Sequence, residues 1–152
     1  MKIYLAHPFE LRKHIREIEL KLEEWTGHEL VNPFYDVEHL AIREIDSRGL
    51  NRSQANRLVR DNYNELVLND CQQIWRCDAL AAYIDGFEVI GTFFEIWEAH
   101  QSGMPVYIIS AKHLDHPWIK YVVDDNDGYG FRDFVDFYRF LLVKKETKNE
   151  MG

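Results

Sequence analysis

The sequence predicts an α/β sandwich, with a mainly parallel sheet of about five strands covered by helices on both faces. Three observations carry this. Short apolar runs alternate along the chain with longer segments of helical period. One run, ALAAYI, has almost no polar residue, as a central strand covered on both faces requires. The chain has 152 residues, 46% hydrophobic and 14% aromatic, enough for one domain with one core. The pattern is that of a flavodoxin-like or Rossmann-like three-layer sandwich.

The elements follow in order. KIYLA reads as a buried strand, and Pro8 then suits the first turn of a helix. Leu11, Ile15, Ile18, Leu22 and Trp25 recur at helical spacing until Gly27 stops the element. HELV is a second strand, leaving through Asn32-Pro33. VEHLAIREI reads as a helical piece and SRGLNRS as a loop. QANRLVRDNYNELVLNDCQQIW reads as one long helix, with Tyr63, Leu66, Val67 and Ile74 as its inward stripe. ALAAYI is the central strand, GTFFEIWEAHQ a helix stopped by Gly103, and PVYII the next strand. FRDFVDFYRFLLV is a final aromatic-rich helix. A single domain is expected over residues 1–146, with a frayed, charged tail at 147–152.

The formal charge of −8 argues against a general nucleic-acid binder, which carries a basic face. No apolar run reaches the roughly 20 residues of a membrane span. The start lacks the apolar region of a signal peptide, so a cytoplasmic protein is expected, away from membranes. Cys71 and Cys77 read as reduced thiols. The H-x-x-H of His113 and His116 lacks a third ligand of clear spacing, so no metal is expected. Neither G-x-G-x-x-G nor a P-loop is present, so dinucleotide binding is not supported.

In such a sheet, ligands bind beyond the carboxyl ends of the strands. Glu95 lies just after the central strand, and two readings of it stand. Thr92 and Glu95 have the spacing of a capping box, T-x-x-E. Alternatively, Glu95 is a fixed carboxylate aimed into the crevice, as a glycosidic nucleophile must be. Asp70 falls on the inward stripe of its helix and so needs a partner or a ligand. Asp85 follows the central strand and is either a turn residue or a site residue. Asp78, at the other end of that strand, reads as a turn or cap. Tyr4 lies in the first strand. His7, Pro8 and Phe9 follow it, where His7 and the next amides can meet an anion, with Arg12 close by in sequence.

IYLAHPF, the Asn69-Asp70 pair, CDALAAYIDG and GTFFEIWEAHQSGMPVYII together resemble the nucleoside 2-deoxyribosyltransferase family, over Lys2 to Ile109. That family includes nucleoside 5′-monophosphate N-glycosidases, which use water in place of an acceptor base. The resemblance implies that Glu95 is the nucleophile, that Tyr4 supports it and that Asp70 contacts the base. Substrate contacts are expected from His7, Pro8, Phe9, Arg12, Asp85, Gly91 and Thr92, and no cofactor is expected. The expected partners are a small-molecule nucleoside or nucleotide, a free base and further copies of the chain, a homo-oligomer. The implied reaction is cleavage of the N-glycosidic bond through a deoxyribosyl-Glu95 intermediate and transfer of the sugar to another base. The alternatives are hydrolysis, or a noncatalytic nucleotide sensor. The family's transferases carry a second acidic residue six before the nucleophile. That position is Val89 here, and Asp85 or Glu88 are the candidates to replace it.

Overall fold

The structure is a computed structural model and describes residues 1–36 and 48–151. Five strands form one sheet: β1 (Lys2–Ala6), β2 (Glu29–Val31), β3 (Ala79–Tyr83), β4 (Val106–Ile109) and β5 (Tyr129–Phe131). Their order is β2-β1-β3-β4-β5, and every pair is parallel. This is the doubly wound α/β arrangement the alternation predicts. It places β1 and β3 side by side at the centre, with Tyr4 opposite Leu80.

Six helices lie among the described residues: α1 (Arg12–Thr26), α2 (Arg52–Asp61), α3 (Tyr63–Trp75), α4 (Ile90–Gln101), α5 (Pro117–Asp124) and α6 (Phe134–Met151). Because side chains alternate along a strand, the sheet has two apolar faces. Ile3, Leu5, Ala81 and Ile109 pack with Ile15 and Leu22 of α1 and with Phe137 and Leu141 of α6. Tyr4, Leu80, Ala82 and Ile108 pack with Ile74 of α3, Ile96 and Ala99 of α4, and Ile119 and Val122 of α5. This second face carries the candidate site.

Several expectations need correction. Pro8 precedes the helical turn: a 3-10 turn (Phe9–Leu11) follows it, and α1 begins at Arg12. The long helix is two helices, divided at Asn62, whose φ of −116° leaves helical geometry. Asn62 turns its side-chain amide onto the Leu58 carbonyl at 2.8 Å, a local bond that competes with the helix. The inward stripe of α3 is only partly inward. Ile74 is fully buried, but Tyr63 and Val67 are more than half exposed. α6 continues through the charged tail to Met151. The sequence reading did not name α5 or β5. Three strand residues are too few to show an alternation, and α5 spans only two turns. VEHLAIREI lies outside the described residues. Among the described residues, no helix is long and apolar enough to cross a membrane.

Candidate active site

β1 delivers Tyr4 and α4 delivers Glu95 to one place. Tyr4 is fully buried, and its hydroxyl donates to Oε2 of Glu95. Asp70, half-buried on α3, acts on both through its charge. The three side chains thus come from three elements that pack on one face of the sheet.

Glu95 does not belong to a capping box. α4 begins at Ile90 after Val89, with no side-chain cap, and its first turn contains no acidic residue. Thr92 is inside that first turn and buried, while Glu95 sits in the second turn. The amides a capping box serves are already behind it, and the helix dipole acts on it weakly there. The chain has a real capping box at α2, where Asn51 and Gln54 exchange hydrogen bonds of 2.9 and 3.1 Å. The T-x-x-E spacing misled because the apolar residues Val89 and Ile90 start the helix earlier than Thr92.

The electrostatics of Glu95 are those of an enclosed acid. Glu95 keeps partial exposure as a residue, but its carboxyl group lies within the protein. Burial is the largest influence, the Asp70 carboxylate adds repulsion, and the Tyr4 hydroxyl opposes both. Together they push the Glu95 carboxyl up to about 8. Burial also pushes the Tyr4 phenol up, with the charges of Glu95 and Asp70 adding to it, so Tyr4 remains a donor. Two carboxyls that repel in an enclosed place favour the state with one proton between them. A pair of that kind holds an acid and a base at once.

The residues around the strand ends divide. His7 is buried and does not present its ring to a ligand. Its Nδ1 lies 3.1 Å from the Pro8 carbonyl and its Nε2 lies 3.2 Å from Asn32 Oδ1. Arg12 lies over the Phe9 ring at 3.9 Å and donates to the Phe9 carbonyl at 3.2 Å, so it braces its own loop. Asp85 accepts from Ser110 Oγ at 2.5 Å and from the Ala111 amide at 2.6 Å. It ties the loop after β3 to the loop after β4 with both carboxylate oxygens. Asp78 accepts from the Lys2 amide at 2.8 Å at the far edge of the sheet, as a cap residue does. Gly91 is exposed in the first turn of α4. Pro8 meets Gly86: a Cβ at Gly86 would fall 2.6 Å from Pro8 Cγ. The loops after β1 and β3 therefore touch, and only glycine permits that approach.

A large cavity among the described residues lies elsewhere. It has a volume of about 590 Å³ and runs along the other flank of α4, lined by Phe93, Trp97, His116 and Trp118 among others. Tyr4, Asp70 and Glu95 are not among its lining residues. The sequence reading missed these aromatic residues, and it missed the buried Glu19. Glu19 was open to the argument that singled out Asp70: it stands four after Ile15 and three before Leu22, on the buried stripe of α1.

No family model matches the chain, and no curated protein does. Among solved structures the fold is shared. The Clostridium botulinum CMP N-glycosidase BcmB superposes with a TM-score of 0.59 over 93% of this chain and 98% of its own, at 17% identity. At that identity the likeness is one of fold.

Proposed function

We propose that the protein cleaves the N-glycosidic bond of a nucleoside or nucleotide, with Glu95 as nucleophile. The observation that carries this reading is the Tyr4–Glu95–Asp70 cluster on one face of the two central strands. Glu95 attacks C1′ of the sugar while the C1′–N bond breaks and its electron pair leaves with the base. The proton held between the two carboxyls passes through Asp70 to the departing base. The product is a glycosyl ester on Glu95. Water, or a second base, then attacks C1′ and releases the carboxylate, so two inversions retain the configuration. Tyr4 holds the attacking oxygen's neighbour in place and lowers the cost of ionising Glu95.

Water is the acceptor we favour over a second base. The acidic position six before Glu95 is occupied by Val89, and the nearby Asp85 spends both oxygens on Ser110 and Ala111. The fold likeness to a CMP N-glycosidase points the same way. The uncapped first-turn amides of α4, at Ile90 to Thr92, are the place we assign to an anionic substituent of the substrate.

We also propose that a second copy of the chain covers α3, α4 and α5. Leu68, Trp75, Phe94, Trp118 and Tyr121 on these neighbouring helices are each more than half exposed, a broad apolar surface for a single chain.

The test of the reaction is incubation with a panel of deoxynucleosides, ribonucleotides and deoxynucleotides, with and without free adenine or cytosine. Base release without an acceptor supports hydrolysis, and exchange supports transfer. Binding without turnover on the whole panel returns the protein to the sensor reading.

A further inference from the structure

The carboxyl end of β1 is fastened by a chain of buried polar side chains that the proposed chemistry does not use. Glu19, fully enclosed on α1, accepts from Arg16 at 2.7 Å through Oε1 and from the Asn32 amide nitrogen at 2.8 Å through Oε2. Asn32 is fully buried just past β2. The direction of its amide is set, because its Oδ1 also accepts from the Phe34 N–H at 3.0 Å. His7 Nε2 meets that same Oδ1, and His7 Nδ1 meets the Pro8 carbonyl. Both partners of the ring are therefore acceptors. A neutral imidazole carries one N–H and can serve only one of them. Glu19 shows the converse. Both of its oxygens face donors, which suits a carboxylate and not an acid.

We propose that Glu19 and His7 form a buried ion pair bridged by Asn32, with Glu19 ionised and His7 an imidazolium, and that the pair positions the floor of the candidate crevice. Two positive groups face three negative ones in the cluster. Arg16 and His7 are positive, and Glu19 and Asp36 are negative, with Arg16 lying 3.2 Å from Asp36. Glu23 also faces Glu19 from α1, and its Oε2 is held by the Leu30 amide at 3.1 Å. Phe34 closes the remaining side of the His7 ring edge-on at 5.0 Å.

Burial works against the ion pair. It lowers the imidazole, and it raises Glu19 to about 8. The neutral pair, however, holds the same number of protons as the ion pair, so pH does not choose between them. Hydrogen bonding does. In the neutral pair a bare ring nitrogen would face an oxygen and a Glu19 hydroxyl would face a donor, both without water to relieve them. The pair has a mechanical consequence. It holds the Pro8 carbonyl, the Pro8 ring abuts Gly86, and so the loops after β1 and β3 keep their spacing.

This positioning role rests on the crevice being the substrate site, whereas the ion pair itself does not. Long-range ¹H–¹⁵N spectra of the histidine rings test the pair without any turnover. At neutral pH, His7 is expected to show two protonated nitrogens in the wild type. In Glu19→Gln, which keeps the volume of the side chain, it is expected to show one. The same variant should raise KM about tenfold with a smaller change in kcat, the mark of a displaced floor. A wild-type His7 with one bare nitrogen overturns the proposal, and so does a Glu19→Gln protein whose His7 stays doubly protonated. An unchanged KM, with the spectra as expected, overturns the positioning role. A doubly protonated His7 in a protein that releases no base sinks the glycosidase reading and leaves the ion pair standing.

Discussion

The hydroxyl of Tyr4, in the middle of β1, donates to Oε2 of Glu95, in the second turn of α4, across 91 positions of sequence. The bond joins a central strand to the helix that follows its neighbouring strand. It makes the orientation of Glu95 a property of the sheet and not of a flexible helix start.

Two substitutions divide the work of this pair. Glu95→Gln removes the charge that forms the glycosyl ester and keeps the volume and the contact with Tyr4. Base release should fall by at least about a thousandfold, the scale of losing a group that acts as part of a unit. Tyr4→Phe keeps the nucleophile and loses its donor, so a smaller fall is expected, about tenfold to a hundredfold. Trapping with a 2-fluoro-substituted deoxynucleoside should add the sugar's mass to Glu95 in the wild type. A Glu95→Gln protein with near-normal turnover would remove the nucleophile from the mechanism.

The pH dependence follows from what surrounds Glu95. The mechanism uses the one proton shared by Glu95 and Asp70, and the Glu95 carboxyl stands at about 8, so kcat/KM should fall as pH rises through that value. Tyr4→Phe should move this limb to higher pH, while Asp70→Asn should replace it with a limb that rises at lower pH, where Glu95 alone ionises. Asp70→Asn should also lower kcat, because the departing base loses its acid. A pH–rate profile for each variant reads both effects. A limb that stays in place in Asp70→Asn would mean that Asp70 does not act on Glu95.

Much of this was legible in the sequence, for identifiable reasons. The strands KIYLA and ALAAYI were plain because strands covered on both faces leave little room for polar residues. Asp70 and Glu95 stood out because a charge among apolar neighbours has to be explained. The start of α4 was misread because Thr92 looks like a cap and Val89 does not, although Val89 holds that place. The commitments of His7, Arg12 and Asp85 could not be read at all. Each depends on a partner brought near by the fold: Asn32, the Phe9 ring and Ser110. Side-chain direction in loops is decided by such contacts and leaves no period in the sequence.

Gly86→Ala tests the floor of the crevice. The new methyl would fall 2.6 Å from Pro8 Cγ, and a proline ring cannot swing aside as a long side chain can. The loops after β1 and β3 must separate. KM should rise about tenfold or more with a moderate loss of melting temperature. Unchanged kinetics would place the substrate away from these two loops.

Self-association tests the exposed helices. Trp118→Glu puts a charge in the apolar surface of α5 without touching Tyr4, Asp70 or Glu95. Light scattering should show the wild type as more than one copy, and the variant should dissociate at concentrations where the wild type does not. A monodisperse monomer at all concentrations in the wild type would leave the surface for another partner.

Stability against pH gives a check on Glu95 that needs no substrate. Its carboxyl stands at about 8 in the fold against an ordinary value of 4.5. Between those values the folded chain holds a proton that the unfolded chain has already released. The unfolded state therefore binds fewer protons, and stability falls as pH rises. The contribution is fully present below 4.5 and is lost as pH passes through 8. Glu95→Gln has no proton to lose and leaves Asp70 without its repelling neighbour. Melting temperatures of wild type and variant should nearly coincide at about pH 5 and separate on the alkaline side, with the variant the more stable. Each kcal/mol of relief corresponds to about 2–4 °C for a chain of this size. The sign is informative. An interaction that stabilises the ionised form would reverse the order, and melting curves that stay parallel from acid to alkaline pH would show Glu95 to be an ordinary solvated carboxylate. Either result removes the enclosed acid on which the pH–rate limb near 8 depends. A variant that is more stable yet inactive is what results when a fold holds a carboxylate for its chemistry at the expense of its own stability.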